Sequence, residues 1–194
     1  GIHSRFPINY WKPMRRVAAE RWTLRVDGRV ESPRVFTLDE VLGFPVHTQS
    51  SRLKCVECWS ARAEWGGFRF DAIAARVKPH AGARGVLFHC NDDYREYLDL
   101  ETLRQTRVLL AHTMNGTALS DEHGFPLRAI VPFKYGYKSP KAILRMEFVD
   151  DTVWGTWSKI GPYSTDGTIL PGTDHPLDLG KNPHRIPGGE IEAY

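Results

Sequence analysis

The chain has 194 residues, of which 41% are hydrophobic, 25% charged and 11% aromatic, and its formal net charge is +3. This composition excludes a disordered segment, a collagen-like repeat and a small disulfide-rich protein, and the charge is too low to indicate a nucleic-acid partner. A chain of this length can bury about 70% of its unfolded surface, so it can fold without a stabilising crosslink. We therefore expect a single domain over residues 1–194, with no targeting or membrane-spanning segment in this sequence.

The elements expected from hydrophobic periodicity are short. In chain order they are a strand at 22–28, a helix at 37–42, an extended stretch at 45–56, a helix at 70–77, a strand at 85–88, a helical turn at 100–103 and strands at 108–113, 127–131 and 142–149. Thr37 and Glu40 have the spacing of a capping box, and Asn115-Gly116 is typical of a tight hairpin turn. Residues 154–194 are rich in Gly, Pro, Asp and His, which predicts a mostly irregular tail around a core of residues 20–153. The sequence thus predicts an α+β fold, mixed and β-rich, with short helices.

Three cysteines, Cys55, Cys58 and Cys90, leave several interpretations open. A redox-active Cys55-x-x-Cys58 pair needs a βαβ context, which the flanking sequence lacks. A structural zinc site needs four ligands, and a second Cys-x-x-Cys or a pair of histidines is missing. In a third interpretation one cysteine is a soft thiolate ligand for a transition metal. Taken singly, Cys58 and Cys90 are expected to be small buried packing residues.

Two segments carry a family resemblance. The first is Arg52-Leu-Lys-Cys55-Val-Glu-Cys-Trp59-Ser60, followed by Trp65-Gly66-Gly67-Phe68. The second runs from Leu110-Ala-His-Thr-Met-Asn115-Gly116 through His123-Gly124-Phe125-Pro126-Leu127-Arg128 to Tyr135-Gly-Tyr-Lys-Ser-Pro-Lys141. In this order they resemble the molybdopterin-dependent sulfite oxidase family, over about residues 20–165, and its bacterial single-domain members most. The resemblance implies a sulfite-oxidase-type molybdopterin-binding domain.

The resemblance also implies roles for individual residues. Cys55 takes the position of the one protein thiolate on molybdenum, and Arg5 and Tyr163 take positions beside the substrate. The implied cofactor-binding residues are Phe6, Cys90, His123, Arg128, Ser139, Pro140 and Lys141, with Asp92 as an alternative to Cys90. A guanidinium and an imidazole beside a phosphate group complement its negative charge. Lys134 and Lys138, by contrast, are expected to be solvated.

The implied activity is that of a molybdenum-molybdopterin oxidoreductase that transfers an oxygen atom on a small sulfur substrate, as sulfite oxidases do. One alternative is a reductase of methionine sulfoxide or of another S- or N-oxide, and another is a non-catalytic binding or structural-zinc domain. His123 favours the sulfite-oxidising branch, whereas Tyr135-Gly-Tyr-Lys138 is closer to the reductase branch. Since the chain has no Cys-x-x-Cys-His haem motif, a separate cytochrome or membrane haem subunit is expected as electron partner. The resemblance implies a periplasmic location and leaves a cytoplasmic one open.

Overall fold

The computed structural model describes residues 6–56, 59–174, 181–189 and 193–194, and within them the chain forms two five-stranded sheets and a two-stranded ribbon. The first sheet contains β1 (Thr23–Gly28), β2 (Arg34–Thr37), β5 (Gly85–Cys90), β6 (Arg95–Asp99) and β10 (Ile143–Val149), in the order β2-β1-β10-β5-β6. β1 and β10 are parallel, and the other neighbours are antiparallel. A parallel pair needs a long crossover connection, which here is formed by most of the chain.

The second sheet carries the strand that leads to Cys55. It contains β3 (His47–Lys54), β4 (Ser60–Phe68), β7 (Leu109–Met114) and β8 (Thr117–Ala118) in that order, with β9 (Arg128–Ile130) also paired to β7. β4 and β7 approach most closely at Gly67, where a Cβ atom would lie 2.0 Å from the carbonyl oxygen of Leu110. Only glycine fits at that position, because any side chain would push the two strands apart.

Four short helices within the described residues pack beside the sheets: α1 (Leu38–Leu42), α2 (Phe70–Val77), α3 (Leu100–Leu103) and α4 (Thr156–Ile160). α1 begins with the predicted capping box, in which Glu40 N–H donates to Thr37 Oγ1 and Thr37 N–H donates to Glu40 Oε2. The main core packs the apolar face of α2 against the first sheet, with the Phe70 and Phe148 rings 5.8 Å apart. In the described ranges, no helix is both long and apolar enough to cross a membrane.

The predicted α+β class is confirmed, and most predicted elements have a counterpart in the structure. Three strands of the two sheets, β2, β4 and β6, have no predicted counterpart, and neither do β11 and β12 in the segment after residue 153. In β4, exposed Arg62 and Glu64 alternate with buried Ala63 and Trp65, which is the period of a strand. The Gly66-Gly67 pair weakens that signal, because glycine inside a strand is unfavourable unless two backbones approach each other closely.

The segment after residue 153 is mostly irregular where the structure describes it, as the sequence predicts. It contains α4 and a short ribbon of β11 (Thr173–Asp174) and β12 (His184–Arg185). It also supplies Trp157 and Tyr163 to the wall of the cavity described below. This segment therefore contributes to the candidate site in addition to covering the surface.

Candidate functional site

One cavity, with a volume of about 690 Å³, gathers most of the predicted site residues. Its walls come from the N-terminal segment 6–14, the end of β3, the turn after β5, the loop before β9 and the turn at 136–141. The predicted site residues that line it are Phe6, Cys55, His123, Arg128, Ser139, Pro140, Lys141 and Tyr163. Segments that are distant in sequence thus converge on one cavity. Predicted residues Arg5 and Cys58 lie outside the described residues.

Cys55 follows β3 directly and is half-buried in the cavity wall. Its backbone N–H donates to the carbonyl oxygen of Trp59 at 2.8 Å, and Asn9 Nδ2 donates to its Sγ atom at 4.0 Å. Among the described residues, no group of three or more His, Cys, Asp or Glu side chains is placed to hold a metal ion. Cys55 is the one cysteine among the described residues that line the cavity, and it offers a soft thiol sulfur at the end of a well-paired strand.

Arg128, at the start of β9, is 4% exposed and lies in the cavity wall. Its guanidinium carbon is 5.0 Å from the centre of the Trp65 ring, and Nη1 donates to the carbonyl oxygen of His123 at 3.1 Å. Its Nε atom is buried and has no hydrogen-bond partner in the described part of the chain. Burial lowers the pKa of Arg128 to about 9. A buried cation with an unused donor is costly, and this one is positioned to receive an anionic group.

Two further basic side chains stand beside Arg128. Lys141 Nζ donates to the backbone carbonyl oxygens of Asn9 and Glu122, the latter at 2.9 Å. Burial, followed by repulsion from Arg128, lowers the pKa of Lys141 to about 7. Burial, and then the charges of Arg128 and Lys141, also lowers the pKa of His123. We call His123, Arg128 and Lys141 the cationic wall, and its electrostatic potential suits a phosphate or another anion.

The turn before Lys141 is tied to β9. Ser139 Oγ accepts a hydrogen bond from Val131 N–H at 3.0 Å, and the carbonyl oxygen of Pro140 accepts one from Ala129 N–H at 2.9 Å. Ser139 is 3% exposed, so its hydroxyl serves the fold as well as the cavity edge. These bonds fix the position of Lys141 relative to Arg128.

The turn after β5 shows which of two candidate residues reaches the cavity. Asp92 lines it, and its Oδ2 and Oδ1 atoms accept hydrogen bonds from the N–H groups of Trp11 and Tyr94 at 3.1 and 3.2 Å. Cys90 is buried behind this turn and is not among the lining residues. Burial, and then the negative charge of Asp92, raises the pKa of the Cys90 thiol well above its usual range. The geometry therefore favours Asp92 over Cys90 as a cavity contact.

The N-terminal segment closes one side of the cavity. Phe6 packs edge-on against Trp65 and His123, with ring centres 5.5 and 5.6 Å apart. This packing places Phe6 next to His123 of the cationic wall. Asn9 and Trp11 also line the cavity, although no motif in the sequence indicates a cavity role for either residue.

A second group of aromatic residues also lines the cavity. Its members are Trp11, Tyr137, Trp157 and Tyr163, which we call the aromatic wall, and all four line the cavity. The ring centres are 5.4 Å apart for Trp11 and Trp157, 5.3 Å for Trp157 and Tyr163, and 5.5 Å for Tyr137 and Tyr163. Burial raises the pKa of Tyr137 to about 12, so its hydroxyl stays protonated and donates to the carbonyl oxygen of Ser164 at 2.7 Å. Tyr163 is therefore held by ring contacts from two sides.

The expectation that Lys134 and Lys138 are solvated is wrong, because they are only 4% and 1% exposed. Lys134 Nζ lies 3.0 Å from Asp166 Oδ1, and Lys138 Nζ lies 2.7 Å from Glu96 Oε1. Each ammonium is stabilised in the interior by a carboxylate and by backbone carbonyl oxygens. No local pattern around these lysines indicates burial, since their carboxylate partners are far away in sequence.

Comparison with known proteins identifies a family. A family model described as "oxidoreductase molybdopterin binding domain" matches residues 11–157. The protein-methionine-sulfoxide reductase catalytic subunit MsrP of Ralstonia nicotianae is 33% identical over an alignment of 173 residues that covers 80% of this chain and 52% of that protein. This chain thus spans about half the length of the curated relative it matches.

A solved structure shares the fold. The sulfane dehydrogenase SoxCD from Paracoccus pantotrophus superposes with a TM-score of 0.69 at 22% identity. The match covers 77% of this chain and 42% of that one. The two sheets and their connections are therefore a fold that this chain shares with a solved protein.

Proposed function

The chain belongs to the oxidoreductase molybdopterin-binding domain family, of sulfite oxidase type, and we propose that it transfers an oxygen atom on a small sulfur compound at a molybdenum centre held by Cys55. The observation that carries the proposal is that the Cys55 thiol and the cationic wall line one cavity. A sulfur-ligated metal bound to an anionic organic group needs a soft donor on one side and positive charge on the other. The cavity offers both.

The fit of the cofactor can be tested on individual atoms. Arg128 has a buried Nε atom without a partner among the described residues, and burial and repulsion from Arg128 lower the pKa of Lys141 to about 7. A phosphate group beside them would satisfy the free donor and keep the lysine protonated. We assign the pterin and its phosphate to Phe6, His123, Arg128, Ser139, Pro140 and Lys141, with Cys90 as a packing residue behind Asp92.

When bound, the molybdenum cofactor supplies two-electron oxygen-atom transfer, and the protein supplies ligation, orientation and electrostatics. In this proposal Cys55 keeps the metal at the floor of the cavity, while Phe6 and Trp65 exclude water from the phosphate side. Tyr163 orients the substrate with its hydroxyl group. Arg5, proposed beside the substrate as well, lies outside the described residues.

The main form of this proposal is oxidation of a sulfite-like substrate, and the aromatic wall supports a second form, reduction of an organic sulfoxide. Sulfur groups make favourable contacts with aromatic rings, and Trp11, Trp157 and Tyr163 offer such rings inside the cavity. The relative from Ralstonia nicotianae is described as a methionine-sulfoxide reductase. Both forms use the same metal and differ in the direction of oxygen transfer.

We propose that the electrons pass to or from a haem-carrying protein outside this chain, because the sequence has no Cys-x-x-Cys-His motif. We also propose a periplasmic location, on the basis of the family resemblance. A partner of this kind can be identified by reduction of a soluble cytochrome in the presence of sulfite. Oxidation of a reduced dye in the presence of a sulfoxide measures the opposite direction.

The test compares Cys55→Ser with Cys90→Ser in both assays. We expect Cys55→Ser to abolish sulfite oxidation and sulfoxide reduction, because serine is a poor ligand for a soft metal. Cys90→Ser is the matched control, since that thiol lies behind the cavity wall and should leave at least half of the activity. Full molybdenum-dependent activity in Cys55→Ser would contradict the proposal.

A further inference from the structure

A buried ion pair beneath the cavity joins several segments of its wall. Lys138 ends the 3-10 turn Gly136–Lys138, and its Nζ atom lies 2.7 Å from Oε1 of Glu96 on β6. The same ammonium donates to the carbonyl oxygens of Tyr97 and Thr165, the latter at 2.7 Å. Since an ammonium has three N–H donors, all three are used. They connect the turn to β6 and to the segment that follows Tyr163.

Glu96 extends this network to the cavity surface. Its Oε1 atom accepts from Tyr97 N–H at 2.9 Å, and its Oε2 atom lies 2.9 Å from the hydroxyl of Tyr94. The same hydroxyl lies 2.6 Å from the carbonyl oxygen of Tyr137. Tyr94 and Tyr137 both line the cavity, whereas Lys138 and Glu96 do not. We call Lys138, Glu96 and Tyr94 the Lys138 network.

The surrounding backbone is fitted closely to the Lys138 network. A Cβ atom on Gly155 would lie 2.5 Å from Glu96 Oε1, and one on Gly167 would lie 2.5 Å from Lys138 Cγ. Lys138 and Glu96 are only 1% and 0% exposed, respectively. A buried ion pair contributes little net stability, because desolvation of the two charges offsets their attraction. Net stability therefore does not explain why this ion pair is present, whereas its bonds to several segments of the cavity wall indicate a positioning role.

We propose that Lys138 is a positioning residue that acts through Glu96 and Tyr94 to hold the turn at 137–141 in the geometry that retains the pterin cofactor. The inference rests on the proposed function, because it presupposes that Ser139, Pro140 and Lys141 contact the pterin. Lys138 immediately precedes these residues and fixes their turn to β6 rather than to solvent. Its bond to Thr165 also fixes the segment that carries Tyr163.

The test uses the molybdenum-loaded enzyme and measures how fast pterin is released. The released pterin is oxidised and quantified by its fluorescence, and the unfolding temperature of each variant is recorded in parallel. Glu96→Gln keeps the hydrogen-bonding shape of the network and removes only the carboxylate charge. The double variant Glu96→Gln with Lys138→Met removes the lysine bonds without leaving a buried unpaired carboxylate.

Two further variants make the result specific. Lys134→Met removes another buried lysine, whose bonds reach Asp166 and Thr168 but not β6. Tyr94→Phe removes only the hydroxyl that bridges Glu96 and Tyr137, so it is the smallest perturbation of the network. If the double variant does not fold, Tyr94→Phe still tests the proposal.

We expect the double variant to release pterin at least ~10-fold faster than the parent, since residues that support direct contacts typically change affinity by about 10- to 100-fold. Tyr94→Phe should release pterin about 3-fold faster than the parent, whereas Glu96→Gln and Lys134→Met should release it at close to the parental rate. Hydrogen exchange of the backbone amides at 136–141 should increase only in the double variant and in Tyr94→Phe.

Parental release rates in both the double variant and Tyr94→Phe would overturn the positioning role while leaving the proposed function intact. Equally fast pterin release from Lys134→Met would also overturn the positioning role, since the loss of any buried lysine would then be enough to speed the release. A parent chain that acquires no pterin in a host able to make it would overturn the proposed function together with this inference.

Discussion

Replacement of Lys141 by methionine should change how the free energy of unfolding of the cofactor-free protein depends on pH. The pKa of Lys141 falls from 10.5 in the unfolded chain to about 7 in the folded one, because of burial and repulsion by Arg128. Between these values the unfolded chain binds one more proton than the folded chain, so the free energy of unfolding rises with pH. Below about pH 7 both states bind the proton, and this lysine adds no pH dependence.

The size of this change in the free energy of unfolding follows from the pH range between the two pKa values of Lys141. One pH unit corresponds to about 1.4 kcal/mol, so a complete effect from about pH 7 to 10.5 would approach 5 kcal/mol. Partial exposure of Lys141 reduces this, and we expect the free energy of unfolding of the parent to gain about 1–2 kcal/mol relative to Lys141→Met between pH 7 and 9. Loss of the hydrogen bonds to Asn9 and Glu122 changes the free energy of unfolding of Lys141→Met by an amount that does not depend on pH.

The assay is urea unfolding of the cofactor-free parent and Lys141→Met at pH 6, 7, 8 and 9, produced in a host that cannot make molybdopterin. Added phosphate should reduce the pH dependence, because an anion beside Lys141 stabilises its protonated form. A difference in the free energy of unfolding that stays constant from pH 7 to 9 would refute the reasoning. It would show that Lys141 keeps an ordinary pKa in the folded chain.

Three other substitutions test the site and the fold. Arg128→Ala should lower the pterin content more than the turnover per bound molybdenum, measured by pterin fluorescence and metal analysis; the opposite pattern would remove Arg128 from the cofactor-binding residues. Gly67→Ala should destabilise the fold by about 3 kcal/mol in urea unfolding, because its Cβ would meet the backbone of Leu110, whereas Gly82→Ala meets no atom within 4 Å and should change little. Thr37→Ala should cost about 1 kcal/mol by the same measurement through loss of the α1 cap, and no change would show that the capping bonds contribute nothing.

Local signals in the sequence predicted the local parts of the structure. The capping box at Thr37 and Glu40 predicted the start of α1, and Cys55, which the family resemblance assigns to the metal, lies in the cavity wall. The fold class and the family also followed from the order of the motifs. Each motif depends on residues within a few positions of one another, and the family followed from two such segments, 52–68 and 110–141, in the expected order.

Long-range contacts account for what the sequence did not reveal. Lys138 can be buried because Glu96, 42 residues away, supplies its counter-charge. The residues near Lys138 in the sequence do not indicate this partner. The sequence left Cys90 and Asp92 as alternatives, and it is the turn after β5 that brings Asp92 to the cavity, where Trp11, 81 residues earlier, donates to it. The aromatic wall likewise combines the N-terminal segment with residues near α4. Contacts between such distant segments arise from the tertiary fold, and the periodicity of the sequence does not indicate them.

The most direct test of the account is the molybdenum and pterin content of the purified parent and of Cys55→Ser, measured by mass spectrometry and pterin fluorescence. The account predicts about one molybdenum and one pterin per parent chain, and a loss of molybdenum in Cys55→Ser. Zinc in place of molybdenum, or no pterin in a protein from a host that makes the cofactor, would contradict it.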